Sequence, residues 1–179
     1  PAVTNRISLS RQLLEKKLAA GEVIYGVNTG FGGNVRFLIR DSDLSSHQEN
    51  LFRSLSCGVG EPLPMDSVRA AMLLRANALA KGLSGVRLEI IERLLDLLNH
   101  RITPVVPRYG SVGASGDLIP SAYIGRVLLG EGEVFYQDRK IPAAEALRDA
   151  NLTRAELTAK EGLALVNGTT VMTGIATLV

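Results

Sequence analysis

The most informative segment of the chain reads Gly110-Ser111-Val112-Gly113-Ala114-Ser115-Gly116-Asp117-Leu118-Ile119-Pro120. Its glycines favour an irregular turn, because glycine adopts backbone conformations that other residues avoid. A helix is expected to start near Asp117, which places Pro120 in the first turn, where a missing N–H costs little. The plainest interpretation is therefore a glycine-rich turn whose Asp117 caps the following helix.

Chemical interpretations of the same segment differ in what they require. A phosphate-binding loop needs a Gly-Lys-Ser/Thr ending and a preceding strand, and the sequence offers neither. A hydrolase nucleophile elbow around Ser115 needs glycine at position 117, where the chain has aspartate. In a third interpretation, the amide nitrogen of Gly116 attacks the Ala114 carbonyl, whose oxygen leaves as one water molecule, and the Ser115 hydroxyl leaves as a second. Ring closure with dehydration would give an imidazolone bearing a methylidene group, an electrophile that unmodified side chains do not supply.

Outward from this segment, the spacing of apolar residues and the positions of capping residues predict a mainly helical chain. Prolines make residues 102–107 extended, because a residue before proline avoids the helical region. A small hairpin is expected from Glu133–Tyr136 to Lys140–Ile141, with a short helix after Pro142. The longer helices are expected from Ser8 or Ser10 to Gly21, from Asp41 or Asp43 to Ser54, from Met65 to Lys81, from Val86 to Asn99 and from about Asp117 to Gly130. A soft boundary divides the chain into residues 1–101 and 102–179.

Composition excludes several function classes. The chain has 179 residues, of which 46% are hydrophobic and 21% charged, which is typical of a globular protein. Its net charge of +2 and its 4% of aromatic residues argue against a nucleic-acid partner. A single cysteine, Cys57, excludes an internal disulfide, and with two distant histidines it indicates that no metal is bound.

The location and the ends of the chain can also be predicted. An apolar run long enough to cross a bilayer is missing from the sequence, and the N-terminus does not resemble a signal peptide. We therefore expect a cytoplasmic protein without a membrane partner. The chain lacks an initiator Met and ends on the apolar residues Leu178-Val179. We expect it to be a piece of a longer protein.

Three segments of the sequence resemble those of a known enzyme family. The segment 110–120 resembles the signature of the ammonia-lyases and aminomutases that carry 4-methylideneimidazole-5-one (MIO). Two further segments resemble other signatures of that family: Tyr25-Gly26-Val27-Asn28-Thr29-Gly30-Phe31-Gly32 and Glu161-Gly162-Leu163-Ala164-Leu165-Val166-Asn167-Gly168-Thr169. The three occur in the family's order. The resemblance implies the N-terminal part of the ammonia-lyase fold, helical with a small β-hairpin, ending before the central bundle of long helices is complete.

The resemblance implies a role for each matching residue. The triad Ala114-Ser115-Gly116 would form MIO, the cofactor, without metal or nucleotide. Tyr25 would be the base that removes a β-proton from the substrate, and Asn167 would contact MIO or the substrate. Phe31 and Gly32 would belong to a substrate-binding lid that excludes water. From the pattern alone, Tyr25 is equally a core residue and Asn167 an ordinary turn residue.

Substrate choice is expected to lie partly at Ser54-Leu55. Family members that act on histidine or tyrosine often have a histidine in this pair, whereas Leu55 cannot donate to an imidazole or phenol. A phenylalanine-like substrate is therefore favoured, with tyrosine as a second choice, and Leu55 is alternatively a simple helix-packing residue. The implied reaction is elimination of ammonia from an aromatic L-amino acid to give an aryl-acrylate, a carbon–nitrogen lyase activity.

Other outcomes stay open on the sequence. A 2,3-aminomutase would use the same residues to make a β-amino acid. The isolated chain is alternatively an inactive helical module, because the family's active sites are built from several subunits of a homotetramer. A nucleotide-binding module is disfavoured, because the glycine-rich segments lack a phosphate-binding lysine.

Overall fold

Helices are the main regular structure of the chain, as the apolar spacing predicts. The computed structural model describes residues 2–112 and 116–179, so the predictions for Ala114 and Ser115 lie outside the described residues. The helices are α1 (Ala2–Ala19), α2 (Leu44–Ser54), α3 (Met65–Leu79), α4 (Leu88–Asn99), α5 (Leu118–Leu128), α6 (Ala143–Asp149), α7 (Glu161–Val166) and α8 (Thr170–Ala176).

The helix predictions agree with the structure except at some ends and near the C-terminus. Helix α1 begins at Ala2, well before the serines expected to cap it. The residue flanking the start of α3 is Pro64, whose fixed backbone angle suits this position. Helices α7 and α8 were not predicted, because each is too short to show a clear apolar period.

The strands form two small antiparallel sheets, where the sequence predicted a single pair. They are β1 (Val59–Pro62), β2 (Thr103–Pro104), β3 (Pro107–Tyr109), β4 (Glu133–Tyr136) and β5 (Arg139–Pro142). The predicted hairpin is β4–β5, with Val134 opposite Ile141. Strand β2 pairs with β4 on the side away from β5, which makes a three-stranded sheet. Strands β1 and β3 pair with each other in the second sheet. The proline-rich stretch is therefore extended, as expected, and it also pairs with strands that are distant in sequence.

A main apolar core supports the fold, and Leu14, Val27 and Ala159 form a second, smaller cluster. The largest fully buried side chains of the main core include Phe52, Met72, Leu94 and Leu157, which come from helices and loops throughout the chain. Gly125 of α5 lies against the Phe52 ring, where an added Cβ would be 2.6 Å from Cζ. The two-part division of the chain at residue 101 stays a prediction.

Two surface properties complete the fold. Cys57 is exposed and is a free thiol. Within residues 2–112 and 116–179, the helices are too short or too polar to cross a membrane.

Candidate active site

The segment that carries Tyr25 is a compact loop closed by its own side chains. The Asn28 side chain accepts a hydrogen bond from the backbone N–H of Ile24 at 2.7 Å and donates one to the carbonyl of Glu22 at 2.9 Å. The buried Thr29 hydroxyl accepts a hydrogen bond from the Gly26 N–H at 2.9 Å. These local contacts fix the backbone on both sides of Tyr25.

Tyr25 itself faces outward. Its side chain is 52% exposed, and its hydroxyl accepts a hydrogen bond from the backbone N–H of Gly32 at 3.0 Å. The structure thus brings Tyr25 and Gly32 together. Gly32 has a φ of +55° and open space where a Cβ would be, so a ligand could approach its backbone closely.

Phe31 lies inward and anchors the loop to α2. Its ring stacks on that of His47, with centroids 4.4 Å apart and planes 8° from parallel. The His47 Nε2 atom lies 3.0 Å from the carbonyl oxygen of Thr29. Phe31 also packs on the apolar core, so its described contacts are structural. Sequence analysis did not identify His47 as part of this site.

A buried amide links the Tyr25 loop to α7. Gln48 is 0% exposed, and its Nε2 donates a hydrogen bond to the carbonyl of Gly26 at 3.1 Å. Its Oε1 accepts a hydrogen bond from the backbone N–H of Leu163 at 3.0 Å. Sequence analysis missed Gln48 as well, since a single polar residue in an amphipathic helix is usually solvated.

Asn167 lies at the turn between α7 and α8, and a buried arginine holds that turn. The carbonyl oxygen of Asn167 accepts a hydrogen bond from Arg75 Nη1 at 2.9 Å. Arg75 Nη2 donates to the Thr170 hydroxyl at 3.2 Å. A Cβ on Gly168 would lie 2.6 Å from Arg75 Nη2, so this position requires glycine. Arg75 is a third residue that sequence analysis missed.

The charge of Arg75 lies in an unfavourable environment. The side chain is only 6% exposed, and burial lowers the pKa of the guanidinium, an effect that the nearby carboxylate of Asp117 opposes. The two groups form a buried charged scaffold beneath the Asn167 turn.

Asp117 caps a different helix from the one predicted. Its side chain makes no capping bond to α5, which it precedes. Its Oδ2 accepts hydrogen bonds from the N–H groups of Val171 at 2.8 Å and Met172 at 3.1 Å, at the start of α8. Those N–H groups have no partner within α8, and the side chain of Thr169, the residue flanking α8, makes no capping bond. The residue after the triad is thereby tied to the helix after Asn167.

The described residues around the triad are suited to a tight turn. Gly116 has a φ of +75°, and among the described residues a Cβ there would meet only the Ser111 hydroxyl oxygen, at 3.8 Å. The Ser111 hydroxyl donates a hydrogen bond to the carbonyl of Gly116. Gly116 thus has the conformation and the space that a ring closure through its nitrogen would need.

An open cleft of about 370 Å³ adjoins this segment. Ser111 and Asp117 line one side, and the apolar residues Val171, Met172 and Ile175 of α8 line another. The mixture of an apolar wall and a few polar groups is typical of a site for a small organic ligand.

The proposed specificity pair lies at the end of α2. The Ser54 hydroxyl donates a hydrogen bond to the Leu51 carbonyl at 2.9 Å, and Leu55 packs against the apolar core. Helix packing thus accounts for the described contacts of Leu55. Its role in substrate choice stays a prediction.

A buried ion pair holds the start of α7. Glu161 is 0% exposed, and Arg87 donates to both of its carboxylate oxygens, at 2.9 and 2.8 Å. Burial acts to raise the pKa of Glu161, but hydrogen bonds from Arg87 and from the Thr158 N–H outweigh it and hold the pKa below its usual range. Elsewhere in the described residues, His, Cys, Asp and Glu form no group of three that could hold a metal ion.

Comparisons with known proteins identify the family of the chain. The family described as aromatic amino acid lyase matches residues 1–179. A histidine ammonia-lyase of Geobacillus sp. is 53% identical over 173 residues, which cover 97% of this chain and 34% of that protein. The chain therefore spans about a third of the length of this relative.

Solved structures show the same fold. The phenylalanine aminomutase of Pantoea agglomerans matches with a TM-score of 0.93 and 37% identity, over 99% of this chain and 34% of that one. A tyrosine aminomutase from Streptomyces globisporus matches with a TM-score of 0.92 and 39% identity, over 99% of this chain and 33% of that one. The predicted helical fold, as an N-terminal part of the ammonia-lyase fold, is confirmed. The chain belongs to the aromatic amino acid lyase family.

Proposed function

We propose that the whole enzyme carrying this chain eliminates ammonia from an aromatic L-amino acid to give an aryl-acrylate. The match of the lyase family to residues 1–179 carries this proposal. The triad Ala114-Ser115-Gly116, in the order and context of the family signature, supports it.

The electrophile of this reaction is proposed to be MIO, made from the triad. The group would supply an electron-poor double bond toward the substrate amine. Gly116, with its φ of +75° and free Cβ space, fits the ring, and the Ser111 hydroxyl holds its carbonyl. Asp117 fixes the segment by capping α8, so the triad has a rigid boundary on its C-terminal side.

The chain's own residues would handle the proton and exclude water. Tyr25 is the proposed base, and its half-exposed hydroxyl accepts a hydrogen bond from the Gly32 N–H. Asn167 is proposed to contact MIO or the substrate from the turn that Arg75 holds. Phe31 and Gly32 would border the substrate on the Tyr25 loop.

The aromatic ring of the substrate is the finer part of the proposal. Leu55 offers no hydrogen bond to an imidazole or a phenol, which favours phenylalanine. The relatives named histidine ammonia-lyase make histidine the main competitor and do not support the phenylalanine preference. Comparing kcat/KM for phenylalanine, tyrosine and histidine decides this point, and we expect the kcat/KM for phenylalanine to be the highest.

An aminomutase activity is the second candidate, because two matching structures are aminomutases. It would appear as a β-amino acid beside the acrylate in the same assay. Because the chain spans about a third of the length of its relatives, we further propose that the isolated chain is inactive. We also propose that the whole enzyme is a cytoplasmic homotetramer.

Replacing Ser115 tests the proposal. In the whole enzyme, Ser115→Ala removes the hydroxyl that must leave, so we expect activity to be lost while the fold is kept. Ser42→Ala, at an exposed serine beside Asp43, is the control and should retain full activity. Full activity in Ser115→Ala would refute the proposed electrophile.

A further inference from the structure

Tyr25 and Asn167 lie on separate segments of the chain. The Gln48 side chain makes one hydrogen bond to each segment. Its Nε2 donates to the carbonyl of Gly26, the residue after Tyr25, at 3.1 Å. Its Oε1 accepts from the N–H of Leu163 at 3.0 Å. The carbonyl of Leu163 in turn accepts a hydrogen bond from the N–H of Asn167 at 2.9 Å. One side chain of α2 thus connects the two segments that carry the proposed catalytic groups.

The contacts allow Gln48 only one orientation. The Gly26 carbonyl can only accept and the Leu163 N–H can only donate, so a flipped amide would lose both hydrogen bonds. Because the side chain is 0% exposed, water cannot replace either partner. The amide is therefore directional as well as buried.

The elements around Gln48 pack closely at two glycines. A Cβ on Gly162 would lie 2.6 Å from the Gln48 carbonyl oxygen. A Cβ on Gly26 would lie 2.7 Å from Leu163 Cδ2. The Tyr25 loop, α2 and α7 thus meet at glycine contacts, and the amide bridges the same junction.

We propose that Gln48 is a positioning residue for the lyase reaction, whose side-chain amide sets the distance between Tyr25 and Asn167. This inference rests on the proposed function. Gln48 does not touch the reacting atoms; it acts through the backbone of the two neighbouring segments. The stack of Phe31 on His47 and the Thr29 hydroxyl anchor the loop independently, so the loop should stay folded when the amide is removed.

The test compares Gln48→Leu with the unmodified whole enzyme. Leucine fills the space of the glutamine side chain with apolar atoms, but it makes neither hydrogen bond. A misplaced base costs roughly 10- to 100-fold in kcat, with a much smaller change in KM. The deuterium isotope effect on kcat with β-deuterated substrate should rise, because proton removal becomes slower than the other steps. Gln12→Leu, at an exposed glutamine of α1, is the matched control and should change neither quantity.

Intact mass separates failure of this inference from failure of the proposed function. The unmodified enzyme and Gln48→Leu should both lack two water molecules relative to their sequences, because the triad closes in each. An active Gln48→Leu enzyme with unchanged kcat and isotope effect would overturn the positioning role. So would loss of the mass difference in Gln48→Leu alone, since the amide would then act on ring formation. An unmodified enzyme without the mass difference and without activity would refute the proposed function instead.

Gln48→Glu decides the matter if the leucine variant does not fold. A neutral carboxylic acid can donate to the Gly26 carbonyl and accept from the Leu163 N–H, whereas a carboxylate can only accept. Activity relative to the unmodified enzyme should therefore be highest at low pH and fall as pH rises. A relative activity that does not change with pH would contradict the proposal.

Discussion

The loop that carries Tyr25 and the turn that carries Asn167 are held by different kinds of contact. The side chains of Asn28 and Thr29 accept neutral hydrogen bonds that fix the loop, Gln48 donates another, and Tyr25 itself points outward. Buried charges fix the turn: Arg75 is 6% exposed and Asp117 is 4% exposed. Asn28 and Thr29 hold the loop locally and Gln48 ties it to α2 and α7, whereas the turn depends on α3 and on the residue after the triad.

This difference separates catalysis from stability. A neutral hydrogen bond contributes about 1 kcal/mol net, whereas one to a charged group contributes about 1.5–3 kcal/mol and leaves an orphaned charge when broken. Changes at the tip of the Tyr25 loop should therefore affect the reaction and spare the fold. Changes beneath the Asn167 turn should affect both.

Tyr25→Phe is expected to have the largest effect and breaks the loop's contribution to the reaction. Loss of a general base lowers kcat by about 10²- to 10⁴-fold, while the melting temperature stays the same because, within the described part of the chain, the hydroxyl bonds only the Gly32 N–H. Steady-state kinetics and thermal melts of the whole enzyme measure both. Tyr109→Phe, at another exposed tyrosine, should change neither. Normal turnover by Tyr25→Phe would show that Tyr25 is not the base of the reaction.

Arg75→Met is expected to have an intermediate effect on kcat and a large one on stability. Methionine fills the space but cannot donate to the Asn167 carbonyl or the Thr170 hydroxyl, and it leaves Asp117 without its neighbouring cation. We expect a loss of about 3 kcal/mol in the free energy of unfolding, with a lower kcat. Urea titration and kinetics measure these quantities.

Arg148→Met is the matched control, because the Arg148 side chain is 74% exposed and should have little influence on either quantity. If Arg75→Met were as stable as the unmodified enzyme, the buried charges would not hold the turn, and the contrast between the two regions would disappear.

Replacing Glu161 is expected to have the smallest effect, which is a change in how stability depends on pH. The pKa of Glu161 in the folded protein is below the usual value near 4.3, so the folded state binds fewer protons than the unfolded state in this range. Its contribution to stability is therefore complete above the usual pKa and is lost as pH falls toward the lowered one. Urea titrations at several acid pH values should show a steeper loss of stability in the unmodified protein than in Glu161→Gln. Identical pH dependence in the two would contradict the role of this ion pair.

Local features of the fold were predictable from the sequence. The end of α2 at Ser54 follows from apolar spacing, and the β4–β5 hairpin follows from its short turn. Pairing of β1 with β3 was not predictable, because it joins strands separated by two helices. The early start of α1 was also missed, because its first turns lack a clear apolar face.

The site was predictable only in part. The Tyr25, triad and Asn167 segments carry recognisable motifs, so their residues could be named. The residues that hold them could not, because their contacts are long-range: Gln48 bonds residues 22 and 115 positions away. Asp117 was expected to cap its own helix, but the N–H groups it accepts belong to α8, 54 and 55 positions further along.

An accurate mass of the whole unmodified enzyme tests the central claim most directly. Closure and dehydration of Ala114-Ser115-Gly116 predict a mass lower than the sequence by two water molecules, with the difference confined to the peptide that contains the triad. A fully active enzyme whose triad peptide has the unaltered mass would contradict the account.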